Sequence, residues 1–428
     1  MSDNNEKLEN EGFDESVYTE YEKEMTLPEA ALSDDVYKDI IKNTPSETES
    51  EEMTTRRSKY ADGQHLVESS NPFQTDREAS DGEIEKYSDF DAEATEGENV
   101  RTFDEIFRTW RKKILPSKGD KKLEIVRKLV ADISVITLVG CAIAFGILYA
   151  QSKKTQDTQR GIASHVIEVD DEQEERLWEE FRAKYPNITI PDGMSVKYAY
   201  LYALNRHLVG WLSVPNSGID VQVVQSNNNS EYLKKDFYGN YSRYGCPFMD
   251  YRNDARFLNQ NTIIYGHHMS DGLIFAELSK YKELKGFLDS PVMKLDTLYE
   301  TYYFKVYAAF ITNSREQDDN GYIFNYTVTD FASTENFDAY IKAIDERKLY
   351  TTGVDINSAD KLLTLSTCTY EFTDARLVVI GRMLRMGETQ DIDTTFAVTN
   401  GNPHYPQIWY DQKGMTNPYA DVERWYPE

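Results

Sequence analysis

The chain has 428 residues and a formal net charge of −27, and at roughly 150 residues per domain its length suggests two or three folded units. The charge is uneven: residues 1–100 carry 29 acidic and 9 basic side chains, residues 101–160 carry 6 and 13, and residues 161–428 carry 39 and 25. An acidic body lacks the positive face that phosphate backbones require, which excludes a nucleic-acid reader, and three cysteines (Cys141, Cys246, Cys368) cannot build a disulfide framework or a Cys-rich zinc site.

In chain order, residues 1–107 read as a disordered acidic arm. Stretches such as SETESEEMTT and EATEGENV scatter too few apolar residues to offset the entropy of ordering. A solvated spacer is the simplest reading, and an interaction or phosphorylation arm is the sharper one. Residues 108–132 form a basic juxtamembrane belt with Arg108, Arg111, Lys112, Lys113, Lys118, Lys121, Lys122, Arg127 and Lys128. The run ISVITLVGCAIAFGILYA (133–150) holds no charge over 18 residues and shows no polar face. Its helical length of roughly 27 Å matches a hydrocarbon core, so a single transmembrane helix is expected. Only Lys153, Lys154 and Arg160 follow within twenty residues, and this bias places the N-terminus in the cytoplasm, the belt on anionic lipid and the body outside.

A linker (151–170) leads to the folded body, 171–390. Helices are expected from residue 171 to Pro186 and over 195–207. Short β-branched and aromatic runs then follow at 218–225, 261–267, 301–312, 361–367 and 376–384, interrupted by helical patterns at 272–289 and 335–348. The expected fold is mainly β: a closed or nearly closed barrel with N-terminal helices and an inserted helix. Residues 391–428 form an extension rich in aromatics, among them Trp409, Tyr410, Tyr419, Trp425 and Tyr426, which points to packing on the body.

Three residues carry candidate chemistry. Cys368 ends the strand KLLTLST at a sheet rim, where it is a nucleophile, a buried core thiol or a disulfide partner of Cys246. His267 ends the strand NTIIYG, and a Cys–His pair is a standard nucleophilic arrangement in which imidazolium favours the thiolate. His268 beside it keeps the choice of ring open, since successive strand residues face opposite sides. Arg376 opens the next strand and can offer its guanidinium to a developing oxyanion. A surface ion pair with Asp374 is its ordinary alternative, and Arg382 on the same strand competes for the role.

The segments NTIIYGHHMSDGLIFAELSKY (261–281) and LLTLSTCTYEFTDARLVVIGRML (362–384) resemble the two active-site segments of class B sortases, and LVGWLSVPNSGIDVQVVQSNNNSEYLKKDFYG (208–239) resembles the family's entry strands. The resemblance covers roughly 195–384. It implies a membrane-anchored cysteine transpeptidase of a Gram-positive bacterium, with its sortase-like barrel outside the cell. Such an enzyme cleaves a C-terminal LPxTG- or NPxTN-type sorting signal after Thr and passes the protein to an amine. Cys368 is then the nucleophile, His267 the general acid and base, and Arg376 the oxyanion partner, with Ser366 and Thr367 lining the substrate groove. The implied partners are surface proteins bearing sorting signals and an amine of a peptidoglycan precursor or a pilin. No metal or organic cofactor is implied. A pilin-polymerising sortase and a transmembrane interaction or signalling protein with an inactive sortase-like domain are the alternatives. Three features depart from the pattern: the long acidic arm, His268 where Asn is often found, and the tail beyond 384.

Overall fold

The computed structural model describes residues 102–427 apart from residue 168, so nearly all of the acidic arm lies outside the described residues. Two compact units are present, divided between Gln151 and Ser152. The first holds helix α1 (Phe103–Ile114) and most of helix α2 (Lys122–Ala163). α1 begins inside the segment that composition assigns to the arm. α2 runs 42 residues, and its apolar window has a mean hydropathy of 2.3 with none of it buried. By length and composition this helix can cross a membrane.

The second unit opens with α3 (Asp171–Lys184), capped by the Asp170 carboxylate, which accepts from the Gln173 N–H at 2.9 Å. The expected helix over 195–207 is a 3-10 turn (Val196–Tyr198) followed by the short α4 (Ala199–Leu204). Phe181, Tyr185, Val196, Tyr198 and Leu201 from these pieces pack with Leu208, Trp211, Val224 and Phe248 in one buried cluster.

Strands β1 (Leu208–Val214), β2 (Ile219–Val224), β3 (Phe248–Met249) and β4 (Asn261–Tyr265) follow. The helical pattern at 272–289 divides into a 3-10 segment (Ala276–Lys282) and α5 (Leu284–Asp289). The cause is a tight turn: a Cβ on Gly286 would meet the Lys280 carbonyl oxygen at 2.1 Å, an approach that only glycine permits. Next come β5 (Val292–Thr297), β6 (Thr301–Thr312), α6 (Thr334–Arg347), β7 (Tyr350–Thr351), β8 (Leu362–Thr369), β9 (Ala375–Met383), β10 (Val398–Thr399) and α7 (Gln407–Lys413).

Eight strands close a barrel in the order β1-β2-β3-β4-β8-β9-β6-β5, with β5 returning to β1. The β2–β3 and β4–β8 pairs are parallel, and the other pairs are antiparallel. Leu212, Val221, Ile264, Leu363, Leu365, Leu377 and Val379 belong to the main buried core. On β8 and β9 the alternate residues Leu362, Val378 and Ile380 pack instead with Phe337, Tyr340 and Ile344 of α6. Strands buried on both faces explain why these segments read as unbroken apolar runs.

Beyond β9 the chain returns across the body. β10 pairs with β7. The Tyr405 and Trp409 rings stack at 4.0 Å against the main core. Trp425 packs on Phe324 and Tyr340, with ring centroids 5.8 and 5.1 Å away, while its carbonyl accepts the Tyr322 hydroxyl at 2.8 Å. Trp425→Ala is therefore expected to destabilise the body by on the order of 2 kcal/mol, read as a lower midpoint in urea unfolding; an unchanged midpoint would show that the tail adds no stability.

Candidate active site

Three adjacent strands build the site. In the parallel β4–β8 pair, Tyr265 stands opposite Ser366. Two contacts continue this pairing past the end of β4: the Gly266 N–H donates to the Ser366 carbonyl at 3.2 Å, and the Thr367 hydroxyl donates to the Gly266 carbonyl at 2.7 Å. Carrying the same register two residues beyond Tyr265 brings His267 level with Cys368. In the antiparallel β8–β9 pair, Cys368 stands opposite Arg376. Leu365 and Leu377 point into the core, so alternation turns Ser366, Cys368 and Arg376 to the outer face. One row thus holds an imidazole just past the end of β4, a thiol on β8 and a guanidinium on β9, with neighbouring strands spaced about 4.8 Å apart.

Local contacts orient each group. The His267 Nε2–H donates to the Leu233 carbonyl at 2.7 Å. A carbonyl only accepts, so Nε2 carries the proton and Nδ1 is left to exchange one. The ring lies against Gly245, where a Cβ would come 3.1 Å from His267 Cδ2 and 2.5 Å from the Tyr232 carbonyl oxygen. His268 turns its Nδ1–H to the backbone carbonyl of Cys368 at 2.9 Å, and its ring packs on Tyr370 at 5.0 Å. His268 therefore ties the loop after β4 to the end of β8 through backbone.

Arg376 donates from Nη1 to the carbonyls of Asp374 and Ala375, at 3.1 and 3.2 Å. The Asp374 carboxylate faces Arg315 instead, at 3.5 Å, so the ion pair considered for Arg376 does not form. Arg382 is 1% exposed and committed to Glu388 and to the Asp355 carbonyl. Its role is to hold the chain beyond β9.

The two residues expected to line a groove go to opposite faces, and both are buried. Ser366 lies on the face of Cys368, with its hydroxyl 2.8 Å from the Tyr326 hydroxyl. Thr367 lies on the other face, with its hydroxyl committed to Gly266. Tyr326 was not singled out by sequence. Its phenol is pushed up by burial and sits within the fields of Arg376 and Cys368. Its carbonyl accepts the Tyr340 hydroxyl and the Asn261 side-chain amide, each at 3.2 Å. Aromatic density was the one signal it carried in the sequence.

The cysteines differ sharply. Cys368 is half-buried at the rim and free. Cys246 is free and buried, with a thiol that burial pushes up to about 12 and that takes a bond from Gln222 at 3.5 Å. A thiol held protonated in this way is inert. Among the described residues no cluster of His, Cys, Asp and Glu could hold a metal ion.

Residues 212–384 match the sortase domain family. Sortase B of Listeria monocytogenes is 33% identical over 186 residues, which is 43% of this chain and 72% of that protein. Sortase B of Staphylococcus aureus is 28% identical over 222 residues, 51% of this chain and 88% of that one. Among solved structures, the Staphylococcus aureus sortase B–substrate complex has 24% identity and a TM-score of 0.44, covering 56% of this chain and all of that one. Sortase B from Listeria monocytogenes has 34% identity and a TM-score of 0.38, covering 42% and 97%.

Gly266 sets the reach of His267. A Cβ there would stand 2.6 Å from the Phe275 ring. Gly266→Ala is expected to cost about 1–3 kcal/mol through overpacking and to lower activity by shifting the imidazole; equal urea midpoints for the two proteins would refute the close packing.

Proposed function

The chain belongs to the sortase family and is a sortase B-like cysteine transpeptidase, and from that premise we propose that Cys368, His267 and Arg376 form its catalytic set. The outer-face row of these three side chains, on β8, on β9 and just past the end of β4, carries the reading. The Cys368 thiolate attacks the Thr carbonyl of an LPxTG- or NPxTN-type signal. A C–S bond forms, and the negative charge moves to the carbonyl oxygen, where the Arg376 guanidinium meets it. As the C–N bond breaks, the proton on His267 Nδ1 passes to the leaving amine. An acceptor amine then attacks the thioester, gives its proton to Nδ1 and releases the thiolate. Each proton taken in one half is returned in the other, so no cofactor enters the balance.

The acceptor in this reading is the amine of a peptidoglycan precursor, and the donor is a surface protein bearing the signal. The resemblance of 261–281 and 362–384 to the active-site segments of class B sortases supports the donor class. α2 serves as the anchor. The surplus of lysine and arginine before residue 133 favours a cytoplasmic N-terminus and an extracytoplasmic body. Ser366 acts from beside the thiol on the same face of β8, holding Tyr326 rather than touching the signal, and Thr367 fixes the backbone at Gly266.

Cleavage of fluorogenic LPxTG and NPxTN peptides tests the assignment. Cys368→Ala is expected to fall to the uncatalysed background, and full residual activity rejects the nucleophile. Arg376→Ala should lose about 10²–10³ in kcat, the range for removal of an oxyanion partner. His267→Ala should abolish turnover while His268→Ala retains part of it; the reverse order would exchange the two rings.

A further inference from the structure

Helix α1 bears a surface that the peptide chemistry does not use. Phe103, Phe107, Trp110 and Ile114 recur at i, i+4, i+7 and i+11, and at about 100° per residue they fall in a stripe roughly 60° wide. They are 81, 50, 56 and 36% exposed, and the Phe107 and Trp110 rings stack on one another at 5.9 Å. Arg111 and Lys113 lie about 80° to either side of the stripe, and Arg108 and Lys112 lie behind it. An aromatic stripe left in water is costly, and basic flanks are what allow such a stripe to enter a headgroup layer.

A second observation fixes where the stripe sits. Seven residues separate α1 from α2, and they fold into a hydrogen-bonded elbow. The Asp120 carboxylate accepts the Ser117 N–H and the Lys128 ammonium, each at 2.8 Å. The same ammonium donates at 2.8 Å to the Lys112 carbonyl in the last turn of α1. The Lys128 bond holds the Asp120 carboxyl below its usual range, and Lys128 is 6% exposed although it belongs to the basic belt. α1 is therefore tied to the first turns of α2. Lys128 stands five residues before the apolar run at 133, about 8 Å along the helix, which is headgroup depth when the run fills the hydrocarbon.

We propose that α1 is an interfacial helix, lying on the leaflet at the N-terminal end of α2 with its Phe–Trp stripe among the acyl chains and its basic flanks on anionic headgroups. The inference rests on α2 being a membrane span. A bilayer of anionic phospholipid is the occupant that the charge selects. Arg111 and Lys113 flank the stripe, Arg108 and Lys112 lie behind it, and Lys118, Lys121 and Lys122 add positive charge at the elbow. A second copy of the chain would bring like charges together around the stripe. Trp at this depth suits its amphipathic ring. With α1 on the surface and α2 across the bilayer, the anchor is fixed in depth and in rotation.

The test uses the full chain reconstituted in phosphatidylcholine–phosphatidylglycerol vesicles with brominated acyl chains. Trp110 precedes the apolar run, and Trp178, Trp211, Trp409 and Trp425 follow it in the body. Bromolipid is expected to quench a blue-shifted component of the tryptophan emission in the wild type and to lose that component in Trp110→Phe. The component should also weaken in Arg111→Glu/Lys113→Glu. Flotation with the vesicles at alkaline pH reports on α2 separately. Equal quenching of wild type and Trp110→Phe in floating protein overturns the interfacial helix alone, and loss of flotation overturns the span and the inference together. A blue-shifted component that persists in unbrominated vesicles, resists bromolipid and rises with the protein-to-lipid ratio assigns the stripe to a second copy and also overturns it.

Discussion

The parallel pairing of β4 with β8 is the contact on which the site depends. Parallel neighbours cannot be joined by a tight turn and need a long crossover. Here residues 266–361 make that crossover, and they bring with them β6, the next neighbour of β9, and α6, the cover of its outer face. The register of the pair is held at its end by two backbone-directed contacts, from Gly266 to Ser366 and from Thr367 to Gly266. A slip of one residue would turn every side chain of one strand to the other face. The imidazole would then leave the side of the thiol.

The same strands show why the row lies where it does. β8 and β9 are buried on both faces for most of their length, by the barrel interior on one side and by α6 on the other. The cover ends toward Cys368 and Arg376. Ser366 is 2% exposed, while Cys368 two residues later is half-buried. The boundary matters to the proposed nucleophile, because a reactive thiol must be reached by substrate and still lie beside positive charge. Two arginines on β9 make the comparison sharper. Arg382 is sealed among carboxylates and carbonyls, whereas Arg376 donates to the carbonyls of the two residues before it, Asp374 and Ala375.

The tail beyond β9 belongs to the body rather than to the site. Its hydrogen bonds and rings engage Tyr322, Phe324, Tyr340 and Lys348. These residues lie on the crossover that supplies Tyr326. The tail thus braces from outside the segment that carries Tyr326, the partner of Ser366, through ordinary packing.

Sequence alone determined whatever depends on neighbours along the chain. The uncharged run at 133–150, the strand tracts, the helical pattern at 335–348 and the placement of His267, Cys368 and Arg376 at strand ends are local patterns of period and polarity. The stripe of α1 is local as well, but its acidic start hid it within the arm. Tertiary structure decided what depends on distant partners. It set His267 on the register of Cys368 and bonded the His268 ring to the Cys368 carbonyl, and it sealed Arg382 while leaving Arg376 at the rim. It sent Ser366 and Thr367 to opposite faces, broke the helix over 272–289 at a close approach of Gly286, and brought Tyr326 onto Ser366 from forty residues away. The physical reason is one of range: side-chain periodicity is fixed by backbone geometry within a few residues, whereas strand pairing and burial are set by contacts between segments whose order in the sequence carries no record of their neighbours in space.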